Sequence, residues 1–516
     1  LMGAHSLKGG VSYNYMMYDI QKRLNFNPTF NYRSDEQWQF PFEVIYGFGD
    51  PALSFTNNQL GLYAQDDWRL ASKVTMNIGL RWDYESNMNN NNWVTPANLV
   101  QALNSAQKTY TNPATTVALP DVLDIQQFTT DGTRRNAYLG MFQPRLGLSW
   151  DIFGNAKSVF AASVGRYWDR VQLNDILDER FRLDWLKYRV CFSATGEPRG
   201  GCPLGTTRWD PKYFNRSELD ALIQTGSVEG PEVFLLDNDV KPPMTDQWSI
   251  GLRQQLGHGW LGSVTYAGVR GKNGLSWFFA NEPPFATFNT RWDARIPIRL
   301  DYPNGQTYDI VGLFKGLSYR KSKQDALFFT LDRPYTASAR WGLNVAYTFQ
   351  HARQTGASFA GDGGVAFELD HVFPQDLEWV PSNFDEHHRL VTSGTAGLGG
   401  GFLASGILTV SSGFPYTIAD ASAGWDNFRY GWNAARPSQP GYSSLDLRLD
   451  WTGKLGAGTS VTLTGEALNI FDTANYNYDP WTSGFKPPPG ESNASFGKPS
   501  TAYNPRRFQI GARFAF

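Results

Sequence analysis

"KVTMNIGLRWDYE" (Lys73–Glu85) alternates apolar side chains with polar or small ones without a break. The apolar positions are Val74, Met76, Ile78, Leu80, Trp82 and Tyr84. A period of two is typical of a β-strand with one apolar face and one wet face. Such a strand fits a soluble sheet, or a membrane barrel whose apolar face meets lipid.

The same alternation recurs in FQPRLGLSWD (142–151), QWSIGLRQ (247–254) and LDLRLDW (445–451). The polar positions carry both signs of charge, which suits a hydrated lumen better than a dry core. We therefore predict these lumen-facing residues: Asn77, Arg81, Asp83, Arg145, Gln247, Arg253, Asp446, Arg448 and Asp450. The predicted lipid-facing residues are Met76, Ile78, Leu80, Leu148, Ile250 and Leu447.

The connections between these segments alternate between short and long. Short ones include 70–73, 256–260 and 398–402, whereas long ones, such as 169–243, are rich in Asn, Pro, Gly and Trp. Short periplasmic turns and long extracellular loops are typical of outer-membrane barrels. The predicted fold is an all-β, antiparallel transmembrane β-barrel of about 14 strands. Their predicted bounds are 4–17, 57–69, 72–85, 140–151, 157–168, 244–255, 260–270, 324–334, 340–351, 384–397, 402–411, 443–452, 460–471 and 505–516, with extra hairpins near 28–46 and 305–320.

Composition agrees with a barrel. Aromatic residues make up 15% of the 516 residues, enough to supply girdles at two membrane interfaces, although carbohydrate-binding β-proteins are also aromatic-rich. We find no uniformly apolar run of about 18 residues, so transmembrane helices are not expected. The formal net charge of -2 gives no reason to expect nucleic acid as a partner.

Two features suggest particular residues. Cys191 and Cys202 stand in one polar connection, where a disulfide fits an oxidising compartment and two free thiols are the alternative. The last residues, FQIGARFAF, resemble the C-terminal strand that bacterial barrels present to the barrel assembly machinery. The predicted assembly signal consists of Phe508, Ile510, Phe514 and Phe516.

Motifs for covalent chemistry are not found: the chain has no G-x-S-x-G, H-E-x-x-H or Walker A pattern. We predict no enzymatic activity, no catalytic residue, no metal site and no cofactor. The cluster DEHHR (Asp385–Arg389) is interpreted as a strand entrance, because neighbouring histidines on a strand point to opposite faces. Calcium bound by loop carboxylates at Asp237–Val240 or Gly361–Gly364 is the alternative left open.

Eight motifs occur in an order that resembles TonB-dependent outer-membrane receptors of the Oar-like type. They include NNQLGLYAQDDWRLASKVTMNIGLRWDYE, FDEHHRLVTSG, GEALNIFDTANYN and NPRRFQIGARFAF, and together they cover nearly the whole chain. The resemblance implies a barrel of about 22 strands around an N-terminal plug. It also implies a Gram-negative outer membrane, membrane lipid as surroundings, and periplasmic TonB as a partner through an N-terminal box. A surface lipoprotein is a further partner that we consider.

The plug, the box and the N-terminal regulatory-like domain of that family are not visible in the sequence. We therefore expect residues 1–516 to be the C-terminal portion of the barrel domain. The predicted function is TonB-dependent transport of a scarce, large solute, bound by extracellular loops and plug. The alternatives are a passive porin, an outer-membrane structural or protein-export component, and a soluble carbohydrate-active β-protein.

Overall fold

The computed structural model describes most of the chain. The residues outside the description are 1–2, 33–38, 198–201, 203–205, 224–230, 287–293, 303–304, 311, 357–365, 369–376, 423–428, 431–436, 457, 480–481 and 491, and the side chains of 366–368 and 429–430. Among the described residues, no helix is both long enough and apolar enough to span a membrane.

One large antiparallel sheet dominates the fold. Its long strands are His5–Gln21, Ala52–Ala71, Val74–Glu85, Phe142–Asp151, Ser158–Trp168, Met244–Gly257, Trp260–Phe279, Leu313–Arg333, Trp341–Thr355, His388–Gly399, Phe402–Ser411, Tyr442–Gly456, Thr459–Leu468 and Arg507–Ala515. Each long strand pairs with the long strand that follows it in the chain, from His5–Gln21 to Arg507–Ala515. Every strand predicted from the alternation is present, which confirms the all-β antiparallel prediction.

Two strands are much longer than the alternation predicts. The predicted strands 260–270 and 324–334 are Trp260–Phe279 and Leu313–Arg333 in the structure. The pairing between them shifts in register between Gly271 and Leu275, and such bulges break the period of two. Their far ends bury Trp277 and Phe279, so these ends belong to an apolar core and lack the alternating pattern.

The first and last long strands stand at the two ends of this ladder. His5–Gln21 pairs with Ala52–Ala71, and Arg507–Ala515 pairs with Thr459–Leu468. Within the part of the chain that the structure describes, no ladder joins His5–Gln21 to Arg507–Ala515. Each of these two strands therefore has one edge with unpaired backbone groups.

Connection length separates the two ends of the sheet. Very short turns close one end, and the turn after Gly399 shows how: Gly399, Gly400 and Gly401 all have positive φ, at 91°, 58° and 87°. Side chains with a Cβ rarely adopt this conformation, so glycine permits the reversal. All the long connections, such as 86–141 and 169–243, emerge at the opposite end.

These long connections are themselves folded. Their helices are Ala97–Ser105, Ile125–Phe128, Leu173–Ile176, Asp178–Asp184 and Arg216–Ile223, with 3-10 turns at Leu119–Asp121 and Pro211–Phe214. Their short strands are Thr29–Asn31, Glu43–Gly49, Gln107–Thr111, Ala114–Ala118, Trp185–Ser193, Thr207–Arg208, Val233–Leu236, Ile298–Asp301, Thr307–Ile310, Ala366–Glu368, Trp379–Pro381, Ala419–Asp420, Arg429–Tyr430, Tyr476–Asn477, Phe485–Lys486 and Thr501–Ala502. The extra hairpin predicted near 28–46 corresponds to the pair Thr29–Asn31 with Glu43–Gly49. The one predicted near 305–320 lies earlier in the chain, as Ile298–Asp301 with Thr307–Ile310, because residues from 313 onward belong to the long strand Leu313–Arg333.

Four connections pack together into a unit that we call the cap: the described residues of 22–51, 86–141, 169–243 and 280–312. Their apolar side chains form one buried cluster, to which each of the four contributes. The fully buried members include Tyr46, Leu103, Leu119, Tyr188, Phe192, Ile298 and Tyr308. Burying a side chain of this size stabilises by roughly 1.5–3 kcal/mol, so the cap has a hydrophobic core of its own.

Candidate functional site

The register of the ladders assigns each side chain to one of two faces. Directly opposed residues share a face, and Asn77, Gly147, Ser163 and Ser249 are opposed in turn. A second row, which contains Arg253, runs through successive partners as far as Ser444. By this register one face carries Asn77, Arg81, Asp83, Arg145, Gln247, Arg253, Asp446, Arg448 and Asp450. We call it the polar face; its contact with a water-filled lumen stays a prediction.

Charges on the polar face are paired with one another. The Asp83 carboxylate accepts hydrogen bonds from Arg81 Nε and Nη2, at 2.8 and 2.6 Å, and another from Gln143. Asp67 accepts from Asn77 Nδ2 and Lys8 Nζ, both at 2.6 Å. These interactions involve four successive strands, so the polar side chains form a hydrogen-bonded surface.

The strands Tyr442–Gly456 and Thr459–Leu468 carry a similar arrangement on the polar face. Arg448 donates from Nε to Asp450 Oδ2 at 2.8 Å and from Nη1 to Glu466 Oε1 at 2.9 Å. Thr464 Oγ1 also donates to Asp450. One arginine therefore bridges two carboxylates on neighbouring strands, and together they keep the face hydrophilic.

The opposite face, which we call the apolar face, is apolar and exposed. Ile78, Leu80, Ile250 and Leu447 are 43%, 49%, 48% and 40% exposed, whereas Met76 and Leu148 are half-buried. All six belong to this face by register. So large an exposed apolar surface is unusual for a water-soluble protein and is typical of a surface that meets lipid.

A row of charged residues ends the apolar face on the side of the cap. Arg166, Asp246, Arg270, Lys323 and Arg353 lie directly opposite one another on five successive strands. Two of the arginines form ion pairs: Arg166 donates from Nε and Nη2 to the two oxygens of Asp246, and Arg270 donates from Nη2 to both oxygens of Asp325. Eleven residues, each rising about 3.4 Å on a tilted strand, separate Asp246 from the turn at Gly257. The row thus lies roughly 25–30 Å above that turn, close to the height of the apolar band of known barrels.

A polar cavity of about 160 Å³ opens at the cap end of the polar face. In its wall Glu85 accepts hydrogen bonds from Asn57 Nδ2 and Gln59 Nε2, at 2.8 and 2.9 Å. Arg170 Nε lies 2.8 Å from Glu85 Oε1, and the Arg170 side chain is 56% exposed. Together with Arg81 and Asp83, these residues offer hydrogen bonds of both polarities and charges of both signs to a solute.

A second cavity, of about 300 Å³, lies farther along the same end of the sheet. It is lined by Glu386, Arg389 and the aromatic residues Phe414, Tyr442, Tyr476 and Tyr503. Tyr442 and Tyr503 meet edge to face, with ring centroids 5.7 Å apart. Aromatic walls with a charged corner favour a solute that has both apolar and ionic parts. The sequence analysis missed both cavities, because their walls combine strand residues with residues of distant connections.

Several predicted residues lie elsewhere in the structure. Cys191 and Cys202 are joined as a disulfide, with Cα atoms 6.2 Å apart, and pack on Phe42 in the cap. Asp237 accepts hydrogen bonds from the Asp239 backbone and from Gln127, so its carboxylate has partners within the cap. The other segment considered for calcium, 361–364, lies outside the described residues, and calcium stays untested at both.

The C-terminal strand and the DEHHR cluster also have defined surroundings. Phe508, Ile510 and Phe514 are 73%, 90% and 64% exposed on the outer edge of the sheet, and Phe516 follows that strand. His387 contacts Asp385, whereas His388 contacts the Tyr347 hydroxyl, so the adjacent histidines point to different partners. The role of the C-terminal strand in assembly stays a prediction. The absence of a metal at the DEHHR cluster stays a prediction as well.

Three features together define an outer-membrane β-barrel type of protein. They are the two faces of the sheet, the segregation of short and long connections, and the consecutive antiparallel pairing of the long strands. The family model "Outer membrane beta barrel domain" matches residues 1–439. The chain therefore belongs to the family of outer membrane β-barrel domains, which places it in the outer membrane of a Gram-negative bacterium. This confirms the predicted fold class and location.

Solved structures match the chain at low sequence identity. The outer membrane transporter YddB from Escherichia coli matches 100% of this chain over 52% of its own, with a TM-score of 0.54 and 13% identity. The siderophore receptor PirA from Acinetobacter baumannii matches 99% over 55% of its own, with a TM-score of 0.48 and 9% identity. The match to the ferripyoverdine receptor of Pseudomonas aeruginosa covers 99% of this chain and 46% of the receptor chain, with a TM-score of 0.49 and 13% identity.

The chain thus spans about half the length of the solved transporters and receptors it matches. The proteins named in these comparisons are transporters and receptors, and the likeness to YddB concerns the fold. The Oar-like subtype is not distinguished by these matches. A comparison with curated protein sequences gave no match.

Proposed function

We propose that this chain forms the C-terminal part of the barrel of a TonB-dependent transporter. The observation that carries the proposal is the continuous polar face, charged and hydrogen-bonded, backed by an apolar face over fourteen long strands. In the proposed arrangement the polar face lines the lumen and the apolar face meets lipid. The full barrel of the proposal has about 22 strands, and a barrel of that width is not filled by its own side chains. In the proposal a plug domain occupies its lumen.

The two unpaired sheet edges support the proposed strand number. His5–Gln21 and Arg507–Ala515 each have one edge without a partner strand among the described residues. In the proposal about eight further strands lie between these edges, which brings the total to the roughly 22 strands of plugged outer-membrane transporters. The coverage of 52% of YddB agrees with a chain that forms part of such a barrel.

The cap and the two cavities support uptake of a large solute. The cap has its own apolar core, so its residues hold fixed positions above the polar face. Where the cap meets the strands, Arg170 of the cap and the strand residues Glu85, Arg81 and Asp83 form a hydrogen-bonding surface at the cap end of the polar face. In the proposal a solute binds first at the cap, then contacts this surface, and passes inward when periplasmic TonB displaces the plug.

The test is uptake by intact cells that express the full-length protein, compared with cells that lack it. Three isotope-labelled probe pools represent the chemistries left open: a peptide digest, an oligosaccharide mixture and ferric chelates. The proposal expects one pool to accumulate only in expressing cells, and accumulation to stop when an uncoupler collapses the proton gradient. Uptake that ignores the uncoupler and rises linearly with concentration indicates a passive porin. Equal uptake with and without the protein favours a structural or export role.

A further inference from the structure

Three side chains with metal-binding atoms converge beside the strand Trp341–Thr355. They are His351 from that strand and Asp385 and His387 from the segment before His388–Gly399. One potential ligand atom from each lies within 4.8 Å of those of the other two. Two imidazoles and one carboxylate are a donor set that divalent transition metals favour, and Zn²⁺ often binds three protein ligands with a fourth position open.

Backbone hydrogen bonds hold this group together. The Ala352 amide donates to Asp385 Oδ1 at 2.7 Å, and the Gln350 amide donates to the carbonyl oxygen of His387 at 3.0 Å. The Ser382 amide donates to the carbonyl oxygen of Ala352 at 2.9 Å. Because these bonds flank His351 on both sides, the segment 382–387 is fixed along the strand, and the Asp385 carboxylate, 5% exposed, has a defined orientation.

The side chains are close to the spacing that a metal site needs. His387 Nε2 lies 3.0 Å from Asp385 Oδ2, and the His351 and His387 ring centroids are 4.3 Å apart at an angle of 64°. Bonds of about 2.0–2.2 Å in a tetrahedral zinc site put ligand atoms roughly 3.3–3.5 Å from one another. The observed limit of 4.8 Å between the three ligand atoms is within about 1.5 Å of this spacing.

His388 is not part of the group, although it follows His387 directly. Its Nδ1 lies 2.7 Å from the Tyr347 hydroxyl, and its ring packs on Phe349. The third member of the group is His351, which stands 34 residues before Asp385 in the chain. The sequence analysis weighed only the adjacent His387 and His388 and did not consider His351; its prediction of no metal site stays untested.

The group lies on the side of the sheet that carries the long connections. His351 is opposite Asp325 on the apolar face, two residues nearer the short turn than the pair Lys323 and Arg353 in the row of charges. Ten residues separate it from Trp341, next to a short turn, which amounts to roughly 25 Å along a tilted strand. The His387 side chain is 45% exposed, at the cap end of the apolar face.

We propose that His351, Asp385 and His387 bind one divalent transition-metal ion, with water at the remaining position. The ion joins the segment 382–387 to the strand Trp341–Thr355 by metal bonds in addition to the backbone hydrogen bonds. Nitrogen donors select Zn²⁺, Ni²⁺ or Cu²⁺ over Ca²⁺ and Mg²⁺. This site is independent of the transport proposed above, which requires no bound metal.

The experiment is a calorimetric titration with Zn²⁺ of the full-length protein, purified without a histidine tag after treatment with a chelator. The variant His351→Phe removes one ligand but keeps a ring against Phe349 and His387. His351→Gln is a second variant, for use if the first assembles poorly on heat-modifiability gels. His388→Ala is the control beside the site, and His5→Ala is a control at a separate histidine–carboxylate pair, His5 with Asp66 at 2.6 Å.

The proposal expects one Zn²⁺ per chain in the wild type and in both controls. Loss of His351 weakens Zn²⁺ binding at least about tenfold. Removal of a residue that only hydrogen-bonds to a metal ligand already weakens metal binding by about 10–100-fold, and loss of a ligand itself costs no less. Bound Zn²⁺ also raises the unfolding temperature of the wild type but not that of the variant. Zn²⁺ affinity that is the same in His351→Phe and the wild type, or that falls equally in His5→Ala, overturns the assignment.

Discussion

Arg135 and Glu179 form a forked ion pair inside the cap, with Nη1–Oε2 and Nη2–Oε1 distances of 2.6 and 2.7 Å. Their side chains are 0% and 2% exposed. Arg135 also donates to the carbonyl oxygen of Leu236 at 2.9 Å and to Asn238 Oδ1 at 2.9 Å. The pair joins the connection 86–141 to 169–243, because each residue belongs to a different one.

We expect Glu179→Gln to destabilise the cap by roughly 3–5 kcal/mol, because it leaves the Arg135 charge buried without its partner. The readout is the rate of protease cleavage within the cap, measured on the full-length protein in detergent at increasing urea concentrations. Arg134→Met is the control, since Arg134 and Asp131 form an exposed pair 3.9 Å apart, with side chains 41% and 62% exposed. Such pairs contribute about 0–1 kcal/mol. Equal effects of the two substitutions contradict the prediction.

The two faces of the sheet should respond differently to charge. Leu80→Arg on the apolar face should cost roughly 2–4 kcal/mol near the middle of the membrane. Asn77→Arg on the polar face should be mild, because Asp67 lies 2.6 Å from Asn77 Nδ2 and can pair with the new cation. Folding titrations into lipid vesicles measure both. A penalty of the same size at both positions shows that the faces are wrongly assigned.

The cap should lose stability in acid through Glu232. Burial alone would raise its pKa, but Lys187 and Arg182 outweigh burial and hold the pKa below its ordinary value of 4.5. Lys187 Nζ lies 2.7 Å from Glu232 Oε1. The unfolded chain therefore takes up this proton first, so the stabilisation is present above about pH 4.5 and is lost as the pH falls through the lowered pKa.

Glu232→Gln should make the cap less stable at neutral pH and reduce the further loss on acidification. Protease protection measured from pH 7 to pH 3 gives the comparison. Other carboxylates titrate in the same range, so Glu218→Gln is the control: Glu218 lies 3.7 Å from Lys212 on the surface, with its side chain 43% exposed. An identical pH dependence in the wild type and Glu232→Gln would refute this role.

Cys191 and Cys202 should form a disulfide in the protein isolated from the outer membrane. The bridge closes a loop with a sequence separation of 11 residues, and loops of this size contribute about 3 kcal/mol in the chain-entropy model. Mass spectrometry of unreduced peptides should show the two cysteines linked, and reduction should speed proteolysis between them. Immediate alkylation of both thiols in unreduced protein is the contrary result.

The C-terminal strand should be needed for assembly. Deletion of Phe514–Phe516 should reduce the folded, heat-modifiable form in the outer membrane, because it removes the aromatic end proposed as the assembly signal. The replacement of Arg513 by Gln is a control, since Arg513 is opposite Thr462 on the polar face. Unchanged assembly after the deletion shows that the ending is incidental.

The sequence by itself was enough to determine the strands and their two faces. In a strand the side-chain direction repeats every two residues. Asn77 and Leu80 can therefore be assigned to opposite faces from the sequence alone, without knowledge of the neighbouring strands. The same local rule located all fourteen long strands, and its largest errors in strand length lie beyond the bulge near Gly271, which broke the period. Short turns were equally visible, because glycine and small polar residues mark them.

Only the tertiary structure decided what the long connections build. Arg135 and Glu179, Glu85 and Arg170, or His351 and Asp385 are far apart in the chain and follow no period. Their contacts depend on how the folded connections pack over the sheet, since a buried charge is stable only beside a partner that long-range packing supplies. The cap core, the two cavities and the proposed metal site therefore became visible only when the strands were placed side by side.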